Sequence, residues 1–160
     1  MPSPAFASTE PQEDIFRLLV IDDDLIQRTI ISKLGSQSGF QVRGASSYAE
    51  AVQLLTSARF DCITLDLSLG EHSGALLLRT IVDTGNRVPV IVISGAEQHV
   101  LESTVKTAKA LDLDSLPLAK PLNLADLRTA FTRKRQSALT RRHLNQLVLH
   151  PKQTSAAIAK

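Results

Sequence analysis

The chain has 160 residues, enough for one domain with some additional sequence, and its 43% apolar content is ordinary for a globular protein. Eighteen Lys and Arg against sixteen Asp and Glu leave a net charge of only +2, but the signs are segregated: all acids lie at or before Asp126, and eight bases with no acid follow from Arg128 onward. No apolar run is long enough to span a bilayer, "MPSPAFASTEPQED" lacks the basic start and apolar stretch of a secretory signal, and the single Cys62 supports no disulfide framework. These features fit a cytoplasmic protein in a reducing compartment, with no membrane partner.

The Pro-rich opening, residues 1–15, reads as a disordered lead. "RLLVI" is a short apolar run consistent with a buried strand, and it ends in Asp22, Asp23 and Asp24. A helix follows, with Ile26, Ile30, Ile31 and Leu34 at helical spacing and Gly35 and Gly39 as stop signals; Asp24 suits its N-cap. "FQVRGA" reads as a second strand. Ser47 with Glu50 forms a capping box ahead of a second helix. "DCITLD" is a third strand ending in Asp66, and "SGALLLRTIVDTGN" a third helix. "VPVIVIS" is the most β-rich run and ends in Ser94. "AEQHVLESTVKTAKALDLD" is helical, with Val100, Leu101, Val105 and Ala108 on one side. "SLPLAK" is a fifth strand ending at Lys120. "NLADLRTAFTRKRQ" is a last helix capped by Asn123, with Leu124, Leu127 and Phe131 directed inward.

Five short apolar strands alternating with amphipathic helices predict an α/β fold whose parallel sheet is covered on both faces. Ligands of such sheets bind beyond the carboxyl ends of the strands. Asp22, Asp23, Asp66, Ser94 and Lys120 all stand at those ends. Strands about 4.8 Å apart bring them to one pocket. Clustered carboxylates favour a hard divalent cation, Mg²⁺, that takes oxygen ligands. Beside such a cation a carboxylate can act as nucleophile on a phosphoryl group, with ammonium and hydroxyl stabilising the transferring charge.

The pieces "VIDDD", "ITLDLSLGEHSG", "VPVIVISG" and "AKPL", in this order and spacing, resemble the receiver domain of two-component response regulators. The resemblance runs from about Arg17 to about Arg135. It implies a flavodoxin-like, doubly wound (βα)5 fold with strand order 2-1-3-4-5. It also implies that Asp66 is the phosphoacceptor, that Asp22 and Asp23 hold Mg²⁺ together with Asp66 and the backbone carbonyl of Ser68, and that Ser94 and Lys120 bind the phosphoryl group. Lys120–Pro121 matches a peptide bond that is commonly cis in the family. The implied partners are a histidine kinase or histidine phosphotransfer protein upstream and an output domain, protein partner or second copy of the chain downstream. Three positions depart from the pattern: Gly70 stands where the family usually has proline, Pro117 replaces the aromatic switch residue three before the lysine, and the spacing from Ser94 to Lys120 is longer than usual.

The domain layout expected is a lead at 1–15, a receiver at 16–135 and a basic tail or linker at 136–160. The tail lacks interleaved aromatics and a helix-turn-helix, so nucleic acid is not expected as its partner. "LNQLVLHPKQTSAAIAK" resembles the opening strand of EAL-type cyclic-di-GMP phosphodiesterase domains, which leaves a regulatory fragment of such an enzyme as an alternative. A haloacid-dehalogenase-like phosphatase also uses an Asp nucleophile at a strand end, but it wants a second Asp where this chain has Ser68. A binding-only interaction module is a third alternative. His72, His99, His143 and His150 are too scattered for a metal site, and Cys62 reads as a core residue.

Overall fold

The computed structural model describes residues 14–70, 74–95 and 98–149. Ten elements alternate along the chain: β1 (Phe16–Ile21), α1 (Leu25–Gln37), β2 (Phe40–Ala45), α2 (Tyr48–Ser57), β3 (Cys62–Asp66), α3 (Gly74–Asp83), β4 (Val90–Ser94), α4 (Gln98–Ala110), β5 (Ser115–Ala119) and α5 (Leu124–Leu149). All strand pairs are parallel and the sheet order is β2-β1-β3-β4-β5, the doubly wound arrangement expected from the alternating pattern.

Alternation along each strand divides the core in two. Leu19, Ile21, Ile63, Leu65 and Val92 face Leu55, Leu77, Leu78 and Ile81 on the side of α2, α3 and α4. Leu18, Val20, Cys62, Ile91 and Ile93 face Ile31, Leu34, Leu127 and Phe131 on the side of α1 and α5. Both faces of β1, β3 and β4 are therefore buried, which is why these strands read as unbroken apolar runs. Desolvation pushes the Cys62 thiol up to about 12, as suits an inert core position.

The caps follow the sequence. The Asp24 carboxylate accepts from the Ile26 and Gln27 N–H groups, Ser47 Oγ accepts from Glu50 N–H, and Asn123 Oδ1 accepts from Ala125 and Asp126 N–H. Glu50 reaches back to the N–H and hydroxyl of Ser46, and those bonds hold its carboxyl below the usual range.

Four details differ from the pattern reading. Ile26 and Ile30 are exposed, so α1 buries only Ile31, Leu34 and Gly35. Gly35 does not stop the helix: a Cβ there would lie 2.5 Å from Leu18 Cδ2, so glycine lets α1 close on β1, and the chain turns instead at Gly39, where φ is +91°. Leu124 and Val100 are also exposed, whereas Leu127, Phe131, Thr104 and Ala108 carry the packing of their helices. Finally, α5 crosses Arg135 without a break. Its 26 residues span about 39 Å, against under about 20 Å for a six-residue strand. Leu144–Leu149 is therefore helical, not the opening strand that the phosphodiesterase resemblance implied; Pro151–Lys160 lies outside the described residues.

The overrun of α5 is anchored at the amino edge of the sheet. Arg142 donates to Asp61 Oδ1 and to the Ile15 carbonyl, both at 2.9 Å, lies 3.6 Å from Asp14, and stacks 4.3 Å from the Phe16 ring centroid. Beyond it, Leu144, Leu147, Val148 and Leu149 stay exposed.

Candidate functional site

β1 and β3 pair in register up to Ile21 and Leu65, so the residue that follows in each strand, Asp22 and Asp66, emerges at the same edge. Both are buried, at 1% and 2% exposure, because neighbouring chain continues past them: Asp22 N–H still bonds the Ala45 carbonyl and Leu67 N–H the Ile93 carbonyl. Asp23 turns outward to solvent, yet one carboxylate oxygen from each of Asp22, Asp23 and Asp66 can be chosen with all three within 4.8 Å of one another.

The two Asp66 oxygens have different surroundings. Oδ1 accepts the Ser68 N–H at 2.8 Å. Oδ2 accepts the Lys120 ammonium at 2.8 Å and the Gln27 amide at 3.4 Å. Lys120 is brought there by the β4–β5 pairing, which continues from its N–H to the Ser94 carbonyl at 2.9 Å; the Lys120–Pro121 peptide is cis. Ser94 is buried at the end of β4, whose preceding residue Ile93 pairs with Asp66. The Ser68 carbonyl accepts the Gly70 N–H at 2.9 Å, and Gly70 has φ +57°. That carbonyl keeps a second lone pair for a cation. His72 lies outside the described residues.

Asp22 is the least satisfied member of the cluster. Its Oδ1 accepts the Asp24 N–H at 2.9 Å, but its Oδ2 is buried with no hydrogen-bond partner. Burial raises its pKa from 3.8 to about 6; the Asp24 bond opposes the shift, while the nearby Asp66 charge adds to it. An orphaned buried carboxylate oxygen on Asp22 and two further carboxylates within reach form a donor set that fits a hard divalent cation.

Two residues of the site were not legible as functional. Gln27 reaches Asp66 from α1, and Arg28 donates to the Asp22 carbonyl at 2.7 Å. Gln27 stands one helical turn after Asp23, so the spacing placed it near the acids, but three residues after the Asp24 cap, in the first turn of α1, a Gln reads as part of the helix start and not as a site residue. Pro117, where the family's ring would stand, is exposed on β5 and borders a cavity of about 620 Å³ lined by Ser94, Gln98, Leu101, Val105 and Lys120.

A flavodoxin-like sheet that gathers an acidic cluster and a lysine at its carboxyl edge defines a class of phosphoryl-accepting signalling modules. The chain belongs to one family of that class: residues 18–132 match the response regulator receiver domain. It is similar to the regulatory protein VirG of Agrobacterium tumefaciens, 30% identical over 115 residues that cover 71% of this chain and 41% of that protein. Its fold is similar to a CheY-like receiver domain protein of Methanospirillum hungatei, with TM-score 0.69, 21% identity and coverage of 79% of this chain and 98% of that one. It is also similar to a response regulator of Burkholderia pseudomallei whose structure holds a phosphorylated aspartic acid and a calcium ion, with TM-score 0.63, 27% identity and coverage of 81% and 74%. The chain spans less than half the length of the curated relatives it matches. Among the described residues no helix is long and apolar enough to cross a membrane.

Proposed function

We propose that Asp66 is the phosphoacceptor of this receiver domain, charged by the phosphohistidine of a histidine kinase or phosphotransfer protein. The observation that carries the reading is the buried Asp66 carboxylate, paired at 2.8 Å with Lys120 beside the orphaned oxygen of Asp22. Phosphorylated aspartate in the Burkholderia relative supports it. The Asp66 Oδ2 electron pair attacks phosphorus in line, the P–N bond breaks, and the imidazole leaves. Lys120 follows the phosphoryl oxygens and Ser94 binds another, so the β4–α4 and β5–α5 connections draw toward Asp66, a shift in population that partners read. Mg²⁺ held by Asp22, Asp23, Asp66 and the Ser68 carbonyl would offset the charge of the carboxylates and of the incoming group.

Exposed Ile26, Ile30 and Leu124 form an apolar rim beside the site, bordering a depression of about 370 Å³ with Asp24, Gln27 and Leu122. Such a rim suits the helical surface that presents a donor histidine. We assign residues 16–135 to the switch proper, with 136–149 as a helical extension toward whatever output the whole protein carries. The phosphatase reading finds no second carboxylate two residues after Asp66, where Ser68 stands. Incubation with acetyl phosphate and Mg²⁺ tests the proposal: wild type acquires one acyl phosphate, labile to alkali and hydroxylamine, and Asp66→Asn acquires none. Equal uptake by the variant refutes it.

A further inference from the structure

Phosphorylation separates the two donors that share Asp66 Oδ2. Ser68 N–H fixes Oδ1 through the main chain, whereas the groups on Oδ2 are both side chains free to turn. The phosphoryl group brings its negative charge to the oxygen that faces the ammonium, so Oδ2 is the oxygen that forms the new bond. Once the P–O bond exists, Lys120 has phosphoryl oxygens to bind. The Gln27 amide has no such pull, being neutral, and it remains the side-chain donor next to Oδ2. Its long 3.4 Å contact in the resting protein is what an oxygen already shared with an ammonium leaves available.

We propose, resting on the assignment of Asp66 as acceptor, that Gln27 is a catalytic residue for loss of the phosphoryl group and so sets the lifetime of the active state. Water attacks phosphorus and the P–Oδ2 bond breaks. Its electron pair returns to Oδ2 as carboxylate, and inorganic phosphate leaves carrying the water oxygen and both water protons, as dihydrogen phosphate. Negative charge grows on Oδ2 as that bond lengthens, and a donor aimed at the developing charge lowers the barrier. The Gln27 amide is aimed there. It is half-buried and lines the open depression bordered by Ile26, Ile30 and Leu124, and replacing it disturbs neither core cluster.

The test uses the full chain, phosphorylated with acetyl phosphate and Mg²⁺ and then freed of donor by rapid desalting. Decay of the phosphorylated form is followed by gel mobility shift. Gln27→Met keeps the bulk and loses the donor; its decay is expected to slow about three- to tenfold, the range for one donor on a developing charge, reduced because the contact is long. Gln27→Lys keeps a donor and is expected to decay within about twofold of wild type, on the same grounds. Decay in denaturant and the thermal midpoint are expected to be the same for all three. Equal or faster decay of Gln27→Met overturns the inference, as does equal slowing by Met and Lys. If wild type forms no adduct, the acceptor assignment falls and takes this inference with it; normal adducts of equal lifetime overturn the role of Gln27 alone.

Discussion

The metal-free protein is expected to lose stability as pH rises through the range in which most carboxylates are already ionised. Asp22 is the cause. In the unfolded chain it titrates near 3.8; in the fold, burial raises it to about 6. The folded state therefore holds the proton more tightly, so the contribution of Asp22 to stability is whole below pH 3.8 and is lost by the time pH passes about 6. The full loss corresponds to roughly 3 kcal/mol, of which about 2 kcal/mol falls between pH 4.5 and 7.5. Other carboxylates act in the opposite sense, Glu50 among them, so the clean measurement is a difference. Urea unfolding of wild type and Asp22→Asn in chelator, at several pH values across that window, isolates the term. Asn keeps the acceptor for the Asp24 N–H but does not titrate. The variant is expected to gain on wild type by about 2 kcal/mol as pH rises from 4.5 to 7.5. A difference that stays flat, or that moves the other way, refutes the idea that Asp22 is ionised at a cost. Magnesium then supplies the second half of the experiment: at about a hundredfold over its dissociation constant it is expected to stabilise wild type by about 2.7 kcal/mol at pH 7.5. Asp23→Ala is expected to abolish most of that response and Asp24→Ala to leave it, because the latter carboxylate serves the N-cap.

Arg142→Ala removes two 2.9 Å hydrogen bonds and a cation stacked on Phe16. It is expected to cost about 1–2 kcal/mol and to release hydrogen-exchange protection in residues 139–149 while that of the sheet persists. Thr64 Oγ1 is buried with no hydrogen-bond partner, so Thr64→Val is expected to raise stability by about 1 kcal/mol in urea melts. Cys62, fully buried with its thiol near 12, is expected to resist iodoacetamide at pH 8 in the native protein and to react on unfolding, which mass spectrometry reads directly.

What could be read from the sequence follows from where the chemistry sits. Strands buried on both faces must be apolar throughout, so any polar residue that ends such a run stands out; Asp22, Asp66 and Ser94 were visible for that reason. Asp24, Ser47 and Asn123 were visible as caps because a helix start needs a side-chain acceptor. The helices were read less well, because apolar spacing gives a face but not what covers it. Ile26 and Ile30 continue the stripe of α1 yet stay exposed, beside Leu122 and Leu124. Gly35 looked like a terminator because glycine ends many helices, and only the position of Leu18 shows that it is a point of close approach. Of the eight bases that follow from Arg128, six lie on α5 itself, and Lys152 and Lys160 fall outside the described residues. Two of them, Arg135 and Arg142, are held over Phe16.

That last arrangement ties the two ends of the domain to one element. α5 begins beside the site, four residues after Lys120, and ends at the opposite edge, where Arg142 grips Asp61 and Ile15. Between these ends Leu127, Ala130, Phe131 and Ala138 are packed against the sheet, so the helix cannot shift at one end without disturbing contacts along its length. The usual ring on β5 is absent, with Pro117 and a cavity in its place, so a path through an aromatic rotation at the α4–β5 face has no side chain to carry it. Lys120 lies only four residues before the start of α5, so a movement of Lys120 toward a phosphoryl group acts on that helix directly. The consequence is specific: with beryllofluoride and Mg²⁺, amide shifts should extend from Ser94 and Lys120 along α5 to the residues around Arg142. In Arg142→Ala the changes at the site should persist while those beyond Ala138 collapse. Changes confined to α4 and β5 in the wild-type protein would show that α5 does not carry the signal.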